Sequence, residues 1–252
     1  MAVHLERHDR VAVVSLDDPE RRNAMTLPLV ADLVAVLDGL EADDGVGAVV
    51  VTGCGPAFCS GADLSDLGGF AAAEHGEKRA ITAVYEGFLR VLRCPLPTVA
   101  AVNGPAVGAG LNLALACDVR LAGASARFDA RFLRIGLHPG GGHTWMLERL
   151  TGPQTSAAMV LFGTALDADA AVERGLAWSK HPDAELLDAA VALAGRAAGA
   201  PRELAVRAKA TLRQAPFTAD FDQHLALEVE HQTWSLGQPW FAQTLAARRP
   251  AP

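Results

Sequence analysis

Two rhythms of apolar residues alternate along this chain. Val3 to Arg7 and Val11 to Leu16 are rich in β-branched residues and flank the polar turn His8-Asp9-Arg10, which predicts a hairpin. Pro19 to Asn23 reads as a charged loop. Thr26 is placed to cap a helix with Pro28 in its first turn, and Leu29, Leu33, Val36, Leu37 and Leu40 then recur at helical spacing. Val46 to Thr52 predicts a buried strand ending at Gly53, and a glycine-rich turn runs on to Leu64. Ala80 to Arg93 carries Ile81, Val84, Tyr85, Phe88 and Leu92 on one helical face and stops before Pro95. From Thr98 the pattern predicts a buried strand, a Gly/Pro turn and a helix opening on Gly108-Ala109-Gly110, with the next strand at Val119 to Ala122. This alternation argues for an α/β fold with largely parallel strands.

After about Asp183 the strand signals fade, and Ala184 to Ala198, Pro201 to Gln214 and Phe217 to Leu236 read as successive helices. The expected organisation is a core over residues 1–195 and a helical region over residues 196–252. With Trp234, Trp240 and Phe241 near its end, that region has more apolar faces than it can cover alone. Packing on a neighbouring subunit is therefore expected.

Composition narrows the class. A net charge of −7, with no basic run, argues against nucleic acid as a partner. Cys54, Cys59, Cys94 and Cys117 form no C-x-x-C pair and no zinc spacing, so they read as small buried hydrophobes in a reducing compartment, and no metal site is expected. The N-terminal run MAVHLERHDR carries charge where a signal peptide needs an apolar core, which makes cytoplasm the expected location. No charge falls between Cys94 and Cys117, a length that spans a bilayer. Pro95, Pro97, Pro105 and three glycines interrupt it, however, and Asp118 and Arg120 follow directly. A buried strand–turn–helix accounts for the apolarity, and no membrane is expected.

Two turns hold the candidate chemistry. Ala57 to Leu64 follows one strand, and Gly108-Ala109-Gly110 opens the helix after another. Each offers a backbone N–H at a strand mouth, and two such donors converging on one oxygen would stabilise an oxyanion. Asn112 lies on the same first helical turn as Ala109, where it can face the same ligand. Its amide forms hydrogen bonds but exchanges no proton near neutral pH. A dinucleotide reading of Gly104, Gly108 and Gly110 fails on spacing, and Ala122-Gly123 stand where that fold needs an acidic residue. A phosphate-binding G-x-x-x-x-G-K-[S/T] motif is also missing from the chain.

Four stretches together resemble the crotonase (enoyl-CoA hydratase/isomerase) superfamily: ERRNAM (Glu20 to Met25), GPAFCSGADL (Gly55 to Leu64), AVNGPAVGAGLNLALACD (Ala101 to Asp118) and RIGLHPGGG (Arg134 to Gly142). Their order and spacing extend the resemblance over nearly the whole chain. It implies a spiral of ββα units, with a C-terminal helical region that builds a trimer, usually doubled to a hexamer. It implies an acyl-CoA thioester as ligand, of the kind met in fatty acid metabolism, and no cofactor beyond the coenzyme A of the substrate. The thioester carbonyl would sit between the N–H groups of Ala62 and Ala109. The resemblance places coenzyme A along Arg22, Asn23, Ala24, Ala62, Asp63 and Leu64, with Arg248 or Arg249 adding positive charge at that end.

Hydratases of this superfamily use two glutamates as acid and base, and the matching positions here are Asn112 and Phe132, neither of which titrates. Losing one such group costs on the order of 10²–10⁴ in rate, which argues against ordinary hydration. His138, in the loop before the next helix, is the leading replacement, since histidine exchanges protons readily near neutral pH. Asp129 and His143 are lesser candidates, and Asp66 with Phe132 is placed at the acyl pocket. Cys59 reads as packing, Arg131 as an exposed residue able to meet an acyl carboxylate, and a His138/His143 metal pair fails on spacing. The expected function is therefore an acyl-CoA enzyme that polarises a thioester by isomerase or lyase chemistry. The alternatives are a non-catalytic acyl-CoA carrier and a structural partner in an assembly.

Overall fold

The computed structural model describes residues 2–63 and 77–247; Leu64, Asp66, Arg248 and Arg249, all named above, lie outside the described residues. Strands β1 (Val3–His8) and β2 (Val11–Leu16) form the expected antiparallel hairpin, with Val3 opposite Leu16 and His8 opposite Val11. Helix α1 (Leu27–Ala42) follows, capped as expected by the Thr26 hydroxyl, which accepts from the Leu29 N–H at 3.3 Å. It buries Leu29, Leu33, Leu37 and Leu40. Strand β3 (Ala48–Gly53) lies parallel to β2, and α2 (Glu77–Arg93) packs beside α1.

The remaining chain winds through β4 (Thr98–Val102), β5 (Pro105–Val107), α3 (Ala109–Ala116), β6 (Val119–Gly123), β7 (Arg127–Asp129), α4 (His143–Val160), β8 (Leu166–Asp167), α5 (Ala168–Glu173) and β9 (Ser179–His181). The large sheet has the order β1-β2-β3-β4-β6-β9, parallel except for the opening hairpin, and a small sheet has the order β5-β7-β8. From β4 onward, successive turns of the spiral thus give one strand to each sheet. The apolar run from Cys94 to Cys117 resolves into β4, β5 and α3, buried on every side. Among the described residues no helix is long and apolar enough to cross a membrane.

Burial on both faces explains why the parallel strands read as continuous apolar runs. Val14, Val49, Val51, Ala100 and Val102 face one core with α1, α2 and α3. Their neighbours Val13, Val50, Val99 and Ala101 face a second core, filled by Leu186, Ala190, Ala194 and Ala198 of α6 (Leu186–Ala198) at four-residue spacing. Strand β5 escaped the pattern. The stretch read as a Gly/Pro turn contains β5, because three residues flanked by Gly104 and Gly108 are too few to display alternation.

Beyond α6 come α7 (Arg202–Gln214), α8 (Phe221–Leu236) and α9 (Pro239–Ala247). Helix α7 is pinned to the core by charge. Lys209, 7% exposed, meets the Asp118 carboxylate at 2.6 Å and donates to the Leu96 carbonyl, while Arg213 reaches the same carboxylate at 3.0 Å. Asp118 also accepts from the Thr98 N–H and hydroxyl, so the α3–β6 corner anchors the helical tail. Helix α8 buries no residue and leaves Phe221, Leu225, Val229 and Leu236 exposed.

Candidate functional site

Backbone pairing brings the two turns together. Cys59 bridges Ala106 in parallel, with the Cys59 N–H donating to the Pro105 carbonyl at 3.1 Å and the Val107 N–H donating to the Cys59 carbonyl at 3.0 Å. On the other side Met25 bridges Ala62, and the Ser60 N–H donates to the Arg22 carbonyl at 2.9 Å. The loop before α1, the first turn and β5 therefore run side by side. Two glycines permit the closeness. A Cβ on Gly61 would stand 2.7 Å from the Val107 carbonyl oxygen and 3.6 Å from the Ala109 nitrogen; one on Gly110 would overlap the Cys59 carbonyl.

A cavity of about 150 Å³ opens where these turns meet. Gly61, Ala62, Gly108 and Ala109 form one wall, Ile81, Val84 and Tyr85 of α2 a second, and Phe132, Leu137, His138 and Gly140 a third. Ala109 is the first residue of α3, so its N–H has no intrahelical acceptor. Among the described residues neither the Ala62 N–H nor the Ala109 N–H donates to a backbone carbonyl. Two N–H groups with no backbone acceptor among the described residues, at a largely apolar cavity, are suited to a developing negative oxygen.

Asn112 also lines the cavity, and its amide is held at both ends. Its Nδ2 donates to the Gly140 carbonyl at 3.0 Å, and its Oδ1 lies 2.6 Å from His143 Nδ1. Because Oδ1 only accepts, Nδ1 of His143 carries the hydrogen and Nε2 is the lone-pair nitrogen. His143 is fully buried, its ring edge against Phe132 at 4.8 Å between centroids, and its Nε2 has no hydrogen-bond partner among the described residues. Burial lowers its pKa to about 4, so the ring stays neutral at pH 7. His143 therefore supports Asn112 from behind and does not line the cavity, and its commitment to Asn112 removes it from any pairing with His138.

His138 is exposed at the cavity rim. Its Nδ1 donates to the Pro139 carbonyl at 2.7 Å, which leaves Nε2 as the acceptor nitrogen of the neutral ring. Asp129 ends β7 as a buried carboxylate whose Oδ2 pairs with both Arg131 and Arg134, while its Oδ1 has no hydrogen-bond partner among the described residues. Arg131 lines the cavity as well as pairing with Asp129. The buried Cys59 thiol is pushed up to about 12 by desolvation, consistent with packing.

At the expected coenzyme end, Arg22 is exposed and adopts a left-handed backbone, while Ala24 is buried. The Asn23 side chain turns inward. Its Nδ2 donates to the Cys54 and Ala57 carbonyls at 2.9 and 2.8 Å, and its Oδ1 accepts from the Asp18 N–H. Position 23 thus stitches the loop to the first turn; the residue is fully buried and its own N–H donates to the Asp18 carbonyl, so it shapes the loop and offers no free surface to a ligand. Tyr85 is the residue the sequence reading passed over as helix packing. The signal was its identity, since a hydroxyl on an otherwise apolar helical face asks for a partner.

A family model described as enoyl-CoA hydratase/isomerase matches residues 6–235. The chain is 52% identical over 242 residues to a probable enoyl-CoA hydratase, echA14, of Mycobacterium tuberculosis, covering 94% of this chain and 93% of that protein. A crystal structure of a probable enoyl-CoA hydratase/isomerase from Mycobacterium abscessus superposes with a TM-score of 0.90 at 33% identity, covering 98% and 95% of the two chains. A putative enoyl-CoA hydratase from Thermobifida fusca, solved in complex with CoA, superposes with a TM-score of 0.82 at 32% identity, covering 93% of each chain.

Proposed function

The chain belongs to the enoyl-CoA hydratase/isomerase family, and from that premise we infer that it binds an acyl-CoA thioester and polarises its carbonyl between the N–H groups of Ala62 and Ala109. The observation that carries this reading is the meeting of two turns whose N–H groups, without a backbone acceptor among the described residues, share one cavity wall. Such a hole stabilises a thioester enolate whatever group moves the proton. Coenzyme A would lie along the loop that Asn23 holds in place, at Arg22 and Ala24, and along the chain at Ala62 and Asp63, and it arrives with the substrate, so the reading requires no resident cofactor.

Asn112 and Phe132 move no protons, so hydration by paired carboxylates is not the proposed reaction. The reading favours proton shuttling on the enolate by His138 Nε2 at the rim, giving isomerase or lyase chemistry. A second reading, an acyl-CoA carrier without chemistry, is favoured by the amide and the aromatic wall at those two positions. Self-association as a trimer or hexamer would cover the apolar residues exposed on α8 and around it, with residues 196–252 as the oligomerisation region; Phe217 and Phe221 are 60% and 77% exposed.

The test is to present short and long 2-enoyl-CoA and 3-enoyl-CoA, following double-bond and thioester absorbance alongside calorimetric binding. Double-bond migration that falls by about 10² or more in His138→Gln supports the proposal. Turnover unaffected by the substitution removes His138 from the mechanism. Binding without turnover favours the carrier, and no binding overturns the acyl-CoA reading itself.

A further inference from the structure

The cavity wall opposite the two turns is apolar except at one point. Tyr85, the single tyrosine of the chain, sits between Ile81 and Val84 on one side and the Gly140–Gly141 turn on the other. Its ring packs on Phe88 at 5.5 Å between centroids. Its hydroxyl occupies the space that a side chain at position 140 would need: a Cβ on Gly140 would overlap the oxygen and stand 3.1 Å from Cζ. The Gly140–Gly141 turn lies against that oxygen. Its O–H is a hydrogen-bond donor on the cavity wall. Burial raises the phenol above its ordinary value of 10, so the proton stays on throughout the neutral range.

A phenylalanine would supply the same packing. A half-buried hydroxyl given room by a glycine instead puts a donor on a largely apolar cavity wall, and a donor left unmatched there penalises a hydrocarbon ligand.

We propose that the Tyr85 hydroxyl is a specificity-determining donor that selects acyl-CoA thioesters whose acyl chain carries an oxygen acceptor of its own, a keto oxygen, beyond the thioester carbonyl. This rests on the acyl-CoA reading above. No bond is made or broken; the acyl oxygen takes the place water holds on the O–H.

The experiment is calorimetric titration of the full chain with hexanoyl-CoA, 3-oxohexanoyl-CoA and 5-oxohexanoyl-CoA, repeated with Tyr85→Phe. In the unmodified protein at least one oxo ligand binds about tenfold more tightly than hexanoyl-CoA, and for that same ligand the ratio collapses toward one in the variant. Gly140→Ala, which displaces the hydroxyl, collapses it too. If the three ligands bind alike, or if the preference survives in Tyr85→Phe, the assignment to Tyr85 is overturned while the acyl-CoA reading stands. If none of the three binds, the acyl-CoA reading itself fails.

Discussion

His143 donates from Nδ1 to Asn112 Oδ1 across 2.6 Å, and that bond fixes an amide whose other end donates to the Gly140 carbonyl. The position thus has to accept on one side and donate on the other. An ionised carboxylate accepts only, and would set two oxygens against each other at Gly140. The amide at 112 is therefore part of a structural triad that joins α3, the first turn of α4 and the cavity wall.

Asn112→Leu keeps the volume but strands the His143 Nδ1–H in the interior and removes the donor to a half-buried carbonyl. The expected loss is about 2–3 kcal/mol, since an unsatisfied buried polar group costs roughly 1–3 kcal/mol. Guanidinium denaturation at pH 7 measures it. In a double-mutant cycle His143→Phe should recover part of the loss, because the stranded donor is then gone. Strict additivity of the two changes would mean that the pair is not coupled.

His143 gives stability a pH dependence with a definite sign. Its folded pKa of about 4 lies below the ordinary value near 6.5, so the unfolded chain binds the proton more readily. The contribution is fully present above about pH 6.5, declines as the pH falls, and is lost near pH 4, where the native ring also protonates. The span corresponds to about 3 kcal/mol. Because other groups titrate as well, the informative quantity is the stability difference between the protein and His143→Gln at pH 7.0, 5.5 and 4.5. It should shift in favour of the variant as acid is added. A constant difference would show that the ring is not held neutral.

Much of this was legible from residues alone, for identifiable reasons. Parallel strands buried on both faces announce themselves as Val/Ala runs, and Thr26 with Pro28 announces a helix start, so both were read correctly. The two glycine turns were found because the glycines are demanded by backbone contact at Gly61 and Gly110. Short elements and distant partners were not legible. Strand β5 is too short for a period, and the inward turn of Asn23 depends on carbonyls more than thirty residues away. The tie between His143 and Asn112 likewise spans 31 positions, and local pattern carries no information on which histidine faces the cavity and which is buried behind it.

Gly110 sets how closely the two turns approach, and that makes it the sharpest test of the site's architecture. A Cβ there would overlap the Cys59 carbonyl oxygen and stand 2.7 Å from the Cys59 carbonyl carbon. The obstacle is backbone on both sides, so no rotamer change relieves it, and helix α3 must shift away from the first turn. Gly110→Ala is therefore expected to cost about 3 kcal/mol, at the upper end of overpacking in a filled core. Binding of a saturated acyl-CoA should fall further than the stability loss accounts for, because Ala62 and Ala109 would no longer converge. Gly39→Ala supplies the contrast. That position lies exposed within α1 with nothing near a new Cβ, and the substitution should stabilise by about 0.5–1 kcal/mol. Denaturation of both variants, with calorimetry on the folded fraction of the first, separates the two effects. If Gly110→Ala binds as the unmodified protein does, the spacing of the two turns does not govern the site.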